Sequence, residues 1–255
     1  MITIDRFSYH SGLRYVNTGE KFAFSVITLV LCVGSRSVYL AVFVLLAMGI
    51  LTIKKGKIPL GGYLRLLSVP VAFLGMNSLV LGTSIRQTPL EVFSVRFGTW
   101  YLTAGRETIC YGIQIFVTAM AAVSCLNFLS CNTTMTDIFV LLRRWKCPVL
   151  IVELMLLIYR FIFVLLDRGQ AVAAAQKSRL GNRDYRTGIH SFGQLISCLF
   201  ISSVKRSEAL FDAMESRCYD GEIRVLEEEY PPKRKEIFGI LAFELWACFL
   251  IWIGR

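Results

Sequence analysis

Residues 109–130 read ICYGIQIFVTAMAAVSCLNFLS, and no charged side chain interrupts them. A helix of about 20 apolar residues, which rises about 1.5 Å per residue, spans the hydrocarbon core of a bilayer. These residues therefore predict a membrane-spanning helix, and they set the fold class of the chain.

Two shorter apolar runs, residues 22–34 and 38–53, are separated by only three residues, which suits a tight helical hairpin. Three longer runs, residues 66–83, 148–166 and 237–253, approach the length of a membrane span. The composition agrees, because 55% of the residues are hydrophobic, 18% are charged and the mean hydropathy is +0.57. We predict an all-α, multi-pass helical membrane protein with about five spans. The first run follows a mixed-charge segment without a small-residue cleavage site, so we expect it to remain in the mature chain.

The net charge of +10 comes from Lys and Arg residues that lie between the apolar runs instead of forming one basic domain. This pattern is typical of the positive-inside bias of membrane proteins, and it does not favour nucleic acid as a partner. Lys54, Lys55, Lys57 and Arg65 place the second connection in the cytoplasm. The N-terminus then lies inside, and residues 84–106 form an outside loop.

The run at 148–166 is the exception among these predicted spans. If it crossed the membrane, residues 167–235 would lie outside, although they hold 12 of the 28 Lys and Arg residues. Glu153 and Arg160 would each cost roughly 2.5 to 3.5 kcal/mol at the bilayer centre. We therefore predict a long, hydrophobic helix at or below the cytoplasmic interface of the membrane. Its apolar surface is covered by other helices or by a partner.

The chain is thus predicted to have three parts. N-terminal transmembrane helices occupy residues 1–131, a cytoplasmic domain occupies 132–235, and a C-terminal transmembrane helix occupies 236–255. The cytoplasmic domain contains three helices, two of them long. It ends in the charged linker EEEYPPKRKE, in which two prolines break regular structure.

The three cytoplasmic helices have recognisable boundaries. The first begins after Thr133 or Thr134, either of which can act as N-cap, and it ends before Pro148. The second runs over 148–179. The third runs over 191–217, where apolar residues recur at three- and four-residue spacing and form one stripe.

A short polar signature occurs at the end of both long helices. The chain reads AQKSRLG at 175–181 and AMESRCYDG at 213–221. Each copy alone indicates helix termination, because Arg in a last turn is favourable to the helix dipole. Two copies also present a guanidinium beside small residues, an arrangement suited to holding carboxylates or carbonyls of another protein. The residues of this docking pair are Ala175, Ser178, Arg179, Ala213, Ser216 and Arg217.

The pair resembles the two Ala-Arg-Gly signatures of the transmembrane T components of energy-coupling factor (ECF) transporters. The opening IDRFSYHSGLRYVNTGEK is similar to the N-terminus of the cobalt-type T component, CbiQ. The segment LLRRWKCPVLIVELMLLIYRFIFVLLDR resembles the Leu-Leu…Pro…Arg-Phe segment of the same family. RSEALFDAMESRCYDGEI is the closest match, and the similarity covers nearly the whole chain.

The resemblance implies a non-catalytic coupling subunit in the plasma membrane of a prokaryote, with its N-terminus and coupling domain cytoplasmic. Its partners would be two ABC-type ATPases, which hold the helix ends, a membrane receptor subunit for cobalt, and the lipid bilayer. The coupling helices would contact the receptor through an apolar surface. The residues of this surface are Leu154, Ile158, Phe161, Leu165, Phe192, Ile196, Leu199 and Phe200.

The sequence departs from the family pattern at the position after each arginine. Leu180 and Cys218 stand where the signature has glycine. One interpretation is that the first helix break is shifted by one residue to Gly181. The opening also has Asn17-Thr18-Gly19 where the family carries a proline before its Glu-Lys pair, here Glu20 and Lys21.

The sequence carries no motif that predicts a catalytic, cofactor or metal site. It has no Gly-x-x-x-x-Gly-Lys-[Ser/Thr] loop for ATP phosphates, and neither of its two histidines has a Cys or carboxylate at ligand spacing. An ATP-driven step would therefore use partner subunits. The alternatives are a T subunit for nickel or a vitamin, a substrate-binding permease, which needs a polar intramembrane cluster, and a membrane enzyme.

Overall fold

The computed structural model describes residues 3–35, 37–82, 84–86, 93–97, 100–104, 106–221, 223, 231 and 233–253. Helices dominate, as the sequence predicts. In chain order the elements are α1 (Thr3–His10), α2 (Thr18–Ser35), α3 (Val38–Lys54), α4 (Leu60–Gly82), β1 (Ser84–Arg86), β2 (Phe93–Phe97), β3 (Trp100–Ala104), α5 (Arg106–Asn132), α6 (Met135–Arg144), α7 (Val149–Ser178), α8 (Tyr185–Glu215) and α9 (Arg234–Ile253).

The chain divides into two compact units. The first, which we name the helical core unit, comprises Ile2–Ile138 together with Glu228–Arg255. The second, which we name the hairpin unit, comprises Phe139–Glu227 and contains the two longest helices, α7 and α8.

The helical core unit is organised around α5, which contacts α1, α2, α3 and α4. Fully buried side chains of α3, among them Leu40, Val44 and Met48, belong to the same apolar cluster as Cys125 of α5. Aromatic rings tie α9 to this cluster, because Phe24 meets Phe243 edge to face at 5.1 Å between ring centroids. Such pairs stabilise a core beyond the area that they bury.

A buried lysine joins the N-terminal segment to the end of α5. Lys21 is only 3% exposed, and its Nζ donates to the backbone oxygens of Asn132 at 3.0 Å and Leu13 at 3.2 Å. The Ser11 hydroxyl donates to Asn132 Oδ1 at 2.7 Å. A cation at the C-terminal end of a helix is favourable to the helix dipole, so this residue of the N-terminal Glu-Lys pair has a defined structural role.

A carboxyl group lies in the middle of the last helix and has a partner on the first long helix. The Thr28 hydroxyl donates to Glu244 Oε1 at 2.7 Å. Burial of a polar group is costly without such a bond, so the pair fixes how α9 meets α2. The residues around Glu244 in the sequence give no indication of this pairing, because Thr28 lies 216 residues away.

Many apolar side chains of the helical core unit face outward. Val69, Phe73 and Met76 of α4, Phe238 of α9 and Tyr39 of α3 are all at least two-thirds exposed. Such extensive apolar exposure marks a surface that lipid or another protein covers. Four helices within the described residues are long and apolar enough to cross a membrane: Thr18–Ser35, Thr108–Asn132, Val149–Ser178 and Tyr185–Glu215.

The segment predicted as an outside loop is partly a small sheet, so that prediction was wrong in detail. Three strands pair antiparallel in the order β1-β3-β2, with Ile85 opposite Leu102 and Val95 opposite Leu102 on the other side. Short strands of about five residues give only a weak alternation signal, which the longer helical patterns on either side obscure.

Most helix boundaries agree with the sequence within a few residues. The Asp137 N–H donates to Thr134 Oγ1, which confirms the predicted Thr134 cap of α6. The start of α8 differs, because the helix begins at Tyr185 and not near 191. Its first turns contain Gly188, which weakens the helical signal. Half of the predicted linker EEEYPPKRKE, residues 227–230 and 232, lies outside the described residues, and its last three residues, Arg234, Lys235 and Glu236, belong to α9.

Candidate docking site

The first signature forms the end of α7. The helix ends at Ser178, whose hydroxyl donates to the backbone oxygen of Ala175 at 2.9 Å. Arg179 follows and is exposed. The serine and the alanine of the signature are thus bonded to each other across one helical turn.

The backbone after Arg179 closes the helix by a Schellman motif. The Gly181 N–H donates to the Gln176 oxygen at 2.8 Å, and the Leu180 N–H donates to the Lys177 oxygen at 3.2 Å. Leu180 takes the left-handed conformation that this closure requires, with φ 59°. Both bonds use carbonyl groups that the end of a helix leaves without intrahelical donors.

The second signature repeats this construction at the end of α8. The Ser216 hydroxyl donates to the Ala213 oxygen at 3.0 Å, and Cys218 has φ 59°. The Tyr219 N–H donates to the Met214 oxygen at 3.1 Å, and the Cys218 N–H donates to the Glu215 oxygen at 3.0 Å. The same side-chain bond and the same backbone closure therefore place an exposed arginine at both ends.

The interpretation that the first break is shifted to Gly181 is wrong. Leu180 itself adopts the left-handed backbone, so both non-glycine residues occupy the position where the family signature has glycine. Gly181 has a different role, because a Cβ atom there would lie 2.9 Å from the Gln176 oxygen. The left-handed closure of both helices is therefore kept in spite of the substitutions, at the cost of backbone strain.

Relief of this strain is expected to stabilise the hairpin unit. Leu180→Gly and Cys218→Gly should each raise the free energy of unfolding by about 0.5 to 1 kcal/mol, because glycine adopts φ near 60° without a steric penalty. Thermal unfolding in detergent measures the gain. Leu180→Ala removes the same exposed side chain without freeing the backbone, so an equal gain in that control would contradict the strain explanation.

The two signatures lie at opposite ends of the hairpin unit, because α7 and α8 run antiparallel. Near the turn, the Gln176 side chain donates from Nε2 to the Ser191 oxygen at 2.8 Å. At the other end, the Tyr219 hydroxyl donates to Glu153 Oε2 at 2.8 Å. Each helix has 30 or 31 residues and is about 45 Å long, so the two arginines are widely separated.

The two ends differ in charge. The turn end carries four exposed cations and one carboxylate: Lys177, Arg179, Arg183, Arg186 and Asp184. The other end carries acidic residues around its arginine: Asp212, Glu215 and Asp220. Within the described part of the chain, neither guanidinium group of the signature arginines has a hydrogen bond or an ion pair, so both are available to a partner.

Glu153 has a role that the sequence does not reveal. It is 6% exposed, and it accepts hydrogen bonds from the Tyr219 hydroxyl and from the Ile223 N–H. Its sequence neighbours gave no indication of these partners, which lie 66 and 70 residues away. The hydrogen bond to Glu153 raises the pKa of Tyr219, and desolvation adds to that effect.

The predicted receptor surface is largely uncovered within the hairpin unit. Leu154, Ile158, Phe192, Ile196 and Phe200 are each about half or more exposed. Phe161 and Leu165 are half-buried, as is Leu199, whose Cδ1 lies 3.5 Å from the position of a Cβ on Gly169. Leu199 thus belongs to the contact between α7 and α8.

No group of three His, Cys, Asp or Glu side chains is placed to hold a metal ion among the residues that the structure describes.

Comparison with known proteins identifies the family. The family model for CbiQ, the cobalt transport protein, matches residues 11–227. An uncharacterised protein of Methanocaldococcus jannaschii is 31% identical over 252 residues, which cover 99% of this chain and 93% of the relative. The cobalt transport protein CbiQ of Rhodobacter capsulatus is 28% identical, with 94% and 93% covered.

A second group of relatives has a related name. The energy-coupling factor transporter transmembrane protein EcfT of Staphylococcus aureus is 28% identical over 219 residues, which cover 80% of this chain and 77% of the relative. The apolar helices and these similarities together identify a membrane protein. The chain belongs to the CbiQ family of cobalt transport proteins.

Proposed function

We propose that the chain is the transmembrane T component of an ECF-type importer, which transmits the closure of two ABC-type ATPases to a separate substrate receptor. The observation that carries this proposal is the pair of exposed arginines, Arg179 and Arg217, each held by the same serine bond and left-handed closure. The closure ends each helix at a defined residue and so places each arginine at the helix end, where a partner can reach its guanidinium group.

In this mechanism each ATPase holds one end of the hairpin unit. ATP binding draws the two ATPases together, so Arg179 and Arg217 move with their respective partners. The long helices α7 and α8 carry the displacement to the receptor, because a continuous helix resists bending over its length. The basic end around Arg179 favours an acidic surface on its ATPase.

The receptor would bind the apolar faces of α7 and α8. Support comes from the high exposure of large side chains such as Ile158, Phe192 and Phe200. An amphipathic helix that presents such a face typically binds in an apolar groove of its partner. Leu199 in addition belongs to the contact between α7 and α8.

We further propose that residues 132–235, the predicted cytoplasmic domain, lie on the cytoplasmic side together with the N-terminus. The distribution of Lys and Arg supports this orientation. Hydrolysis of ATP then takes place in the partner ATPases, and this chain is a non-catalytic subunit. The flanking parts, 1–131 and 236–255, would anchor it in the bilayer.

We propose cobalt as the substrate, because CbiQ of Rhodobacter capsulatus is named a cobalt transport protein. A nickel or vitamin importer is the alternative, and substrate choice would reside in the receptor. Uptake measurements separate these possibilities without any change to this chain.

The decisive experiment purifies the full chain from its native membranes in mild detergent and reconstitutes the co-purified complex into liposomes. We expect stoichiometric ABC-type ATPases and a receptor, and we expect ATP-dependent uptake of radioactive Co²⁺ that unlabelled Co²⁺ abolishes. Competition by Ni²⁺ or by vitamins at the same concentration tests the alternative substrates.

A preparation that lacks only this chain is the control. Equal ATP-dependent uptake without it would contradict the proposed coupling role. Uptake of Co²⁺ by the purified chain alone, without ATPases or receptor, would instead support a substrate-binding permease.

A further inference from the structure

The end of α8 depends on a carboxylate that lies far away in the sequence. Glu153 is in the second turn of α7, where most neighbouring side chains are apolar, and both of its oxygens accept hydrogen bonds. Both donors, the Tyr219 hydroxyl and the Ile223 N–H, come from the segment that follows Arg217. A buried carboxylate is costly unless donors satisfy it, so the carboxylate and this segment stabilise each other.

Tyr219 couples this carboxylate to the second signature. Its backbone N–H closes the helix end on the Met214 oxygen, while its side chain bonds to Glu153. Arg217 lies two residues before Tyr219, inside the closed turn. The position of the arginine relative to α7 therefore depends on the hydrogen bonds to Glu153.

The other end of the hairpin unit is held in a different way. There the Gln176 side chain donates to the Ser191 oxygen, and the Ser191 hydroxyl donates to the Gly181 oxygen at 2.8 Å. These bonds are neutral and join residues only 15 and 10 positions apart. Both ends have the backbone closure described above, but the Arg179 end is held to α8 by neutral bonds near the turn, whereas the Arg217 end is held to α7 by one carboxylate.

We propose that Glu153 is a positioning residue for the second docking contact: through Tyr219 and Ile223 it sets the direction in which Arg217 meets its partner. This inference rests on the proposed function, since it assumes that the Arg217 end docks. Glu153 itself does not contact the ATPase in this proposal, because its side chain is buried within the hairpin unit.

A spin label on Cys218 tests the inference in the full chain. Cys218 is exposed and adjoins Arg217. The accessible cysteines Cys110, Cys147, Cys198 and Cys248 are replaced by serine, and the buried Cys32, Cys125 and Cys131 are kept. We expect Tyr219→Phe and Glu153→Gln to increase the mobility of this label and to reduce ATP-dependent uptake about tenfold, the factor for a lost hydrogen bond to a charged group. Glu153→Gln preserves the side-chain volume, so it guards against a packing defect.

Two controls accompany these variants. Tyr185→Phe changes a tyrosine that is 86% exposed at the other end of the hairpin unit. This variant should alter neither the mobility of the Cys218 label nor the ATP-dependent uptake. A label on Leu180→Cys should keep its mobility in Tyr219→Phe and Glu153→Gln, because the Arg179 end is held locally. Thermal unfolding of each variant confirms that the chain is folded.

Unchanged mobility of the Cys218 label in both variants would overturn the inference, as would a mobile label with normal uptake. In the latter case, loss of uptake in Arg179→Ala with Arg217→Ala would leave the proposed function standing. Normal uptake in that double variant would instead show that the proposed function has failed.

Discussion

Replacement of both signature arginines, Arg179→Ala with Arg217→Ala, is expected to abolish ATP-dependent uptake while the chain remains folded. Both side chains are exposed and have no partner among the described residues, so their loss should change the free energy of unfolding by less than about 0.5 kcal/mol. At an interface each arginine is a hot spot of about 2 kcal/mol or more, so binding of each ATPase should weaken at least about thirtyfold.

The chain offers a matched control on the same helix. Lys205→Ala with Arg206→Ala removes the same charge from exposed positions of α8 that lie outside both signatures. Uptake and co-purification of the ATPases should persist in this control. If the arginine variant retained its ATPases and its uptake as the control does, the docking model would be wrong.

Replacement of Lys21 by Met is expected to have the largest effect on stability. Lys21→Met keeps the length of the side chain but leaves the oxygens of Asn132 and Leu13 without this donor. Each hydrogen bond to a charged group contributes about 1.5 to 3 kcal/mol, so we expect a loss of about 3 kcal/mol or more. The amine is nearly inaccessible, so water cannot replace it without rearrangement.

Thermal unfolding of the purified chain in detergent measures this loss. We expect the midpoint to fall by about 10 °C, given about 2 to 4 °C per kcal/mol for a chain of this size. Lys54→Met is the control, because Lys54 is exposed near the end of α3. A shift no larger than in that control would contradict the role of Lys21 in joining the N-terminal segment to α5.

The sequence predicted the helices well because apolar length and periodicity are local properties. The run at 109–130 lies inside α5, and the run at 38–53 lies inside α3. The polar turns that begin helices were less visible, as at Tyr185, because hydropathy changes only after the helix has started. The docking signatures were found as a pattern, but the repeated bond from serine to alanine required the geometry.

Contacts between distant residues could not be predicted from a single sequence. In its own helix Glu153 has Arg160 two turns away, but its hydrogen-bond donors come from the segment after α8. The acceptors of Lys21 and the pairing of Thr28 with Glu244 belong to the same class. Spacing rules describe neighbours within an element, whereas these pairs depend on how the elements pack.

Hydrogen-bonded residues of the helical core unit lie far apart in the sequence, and this separation sets the order in which the unit is completed during synthesis. Lys21 meets its second acceptor, the Asn132 oxygen, only when the ribosome has made that residue, which lies 111 residues downstream. Glu244 meets Thr28 across 216 residues, after both long helices of the hairpin unit have emerged. The helical core unit is therefore assembled in two stages, with the synthesis of the hairpin unit between them.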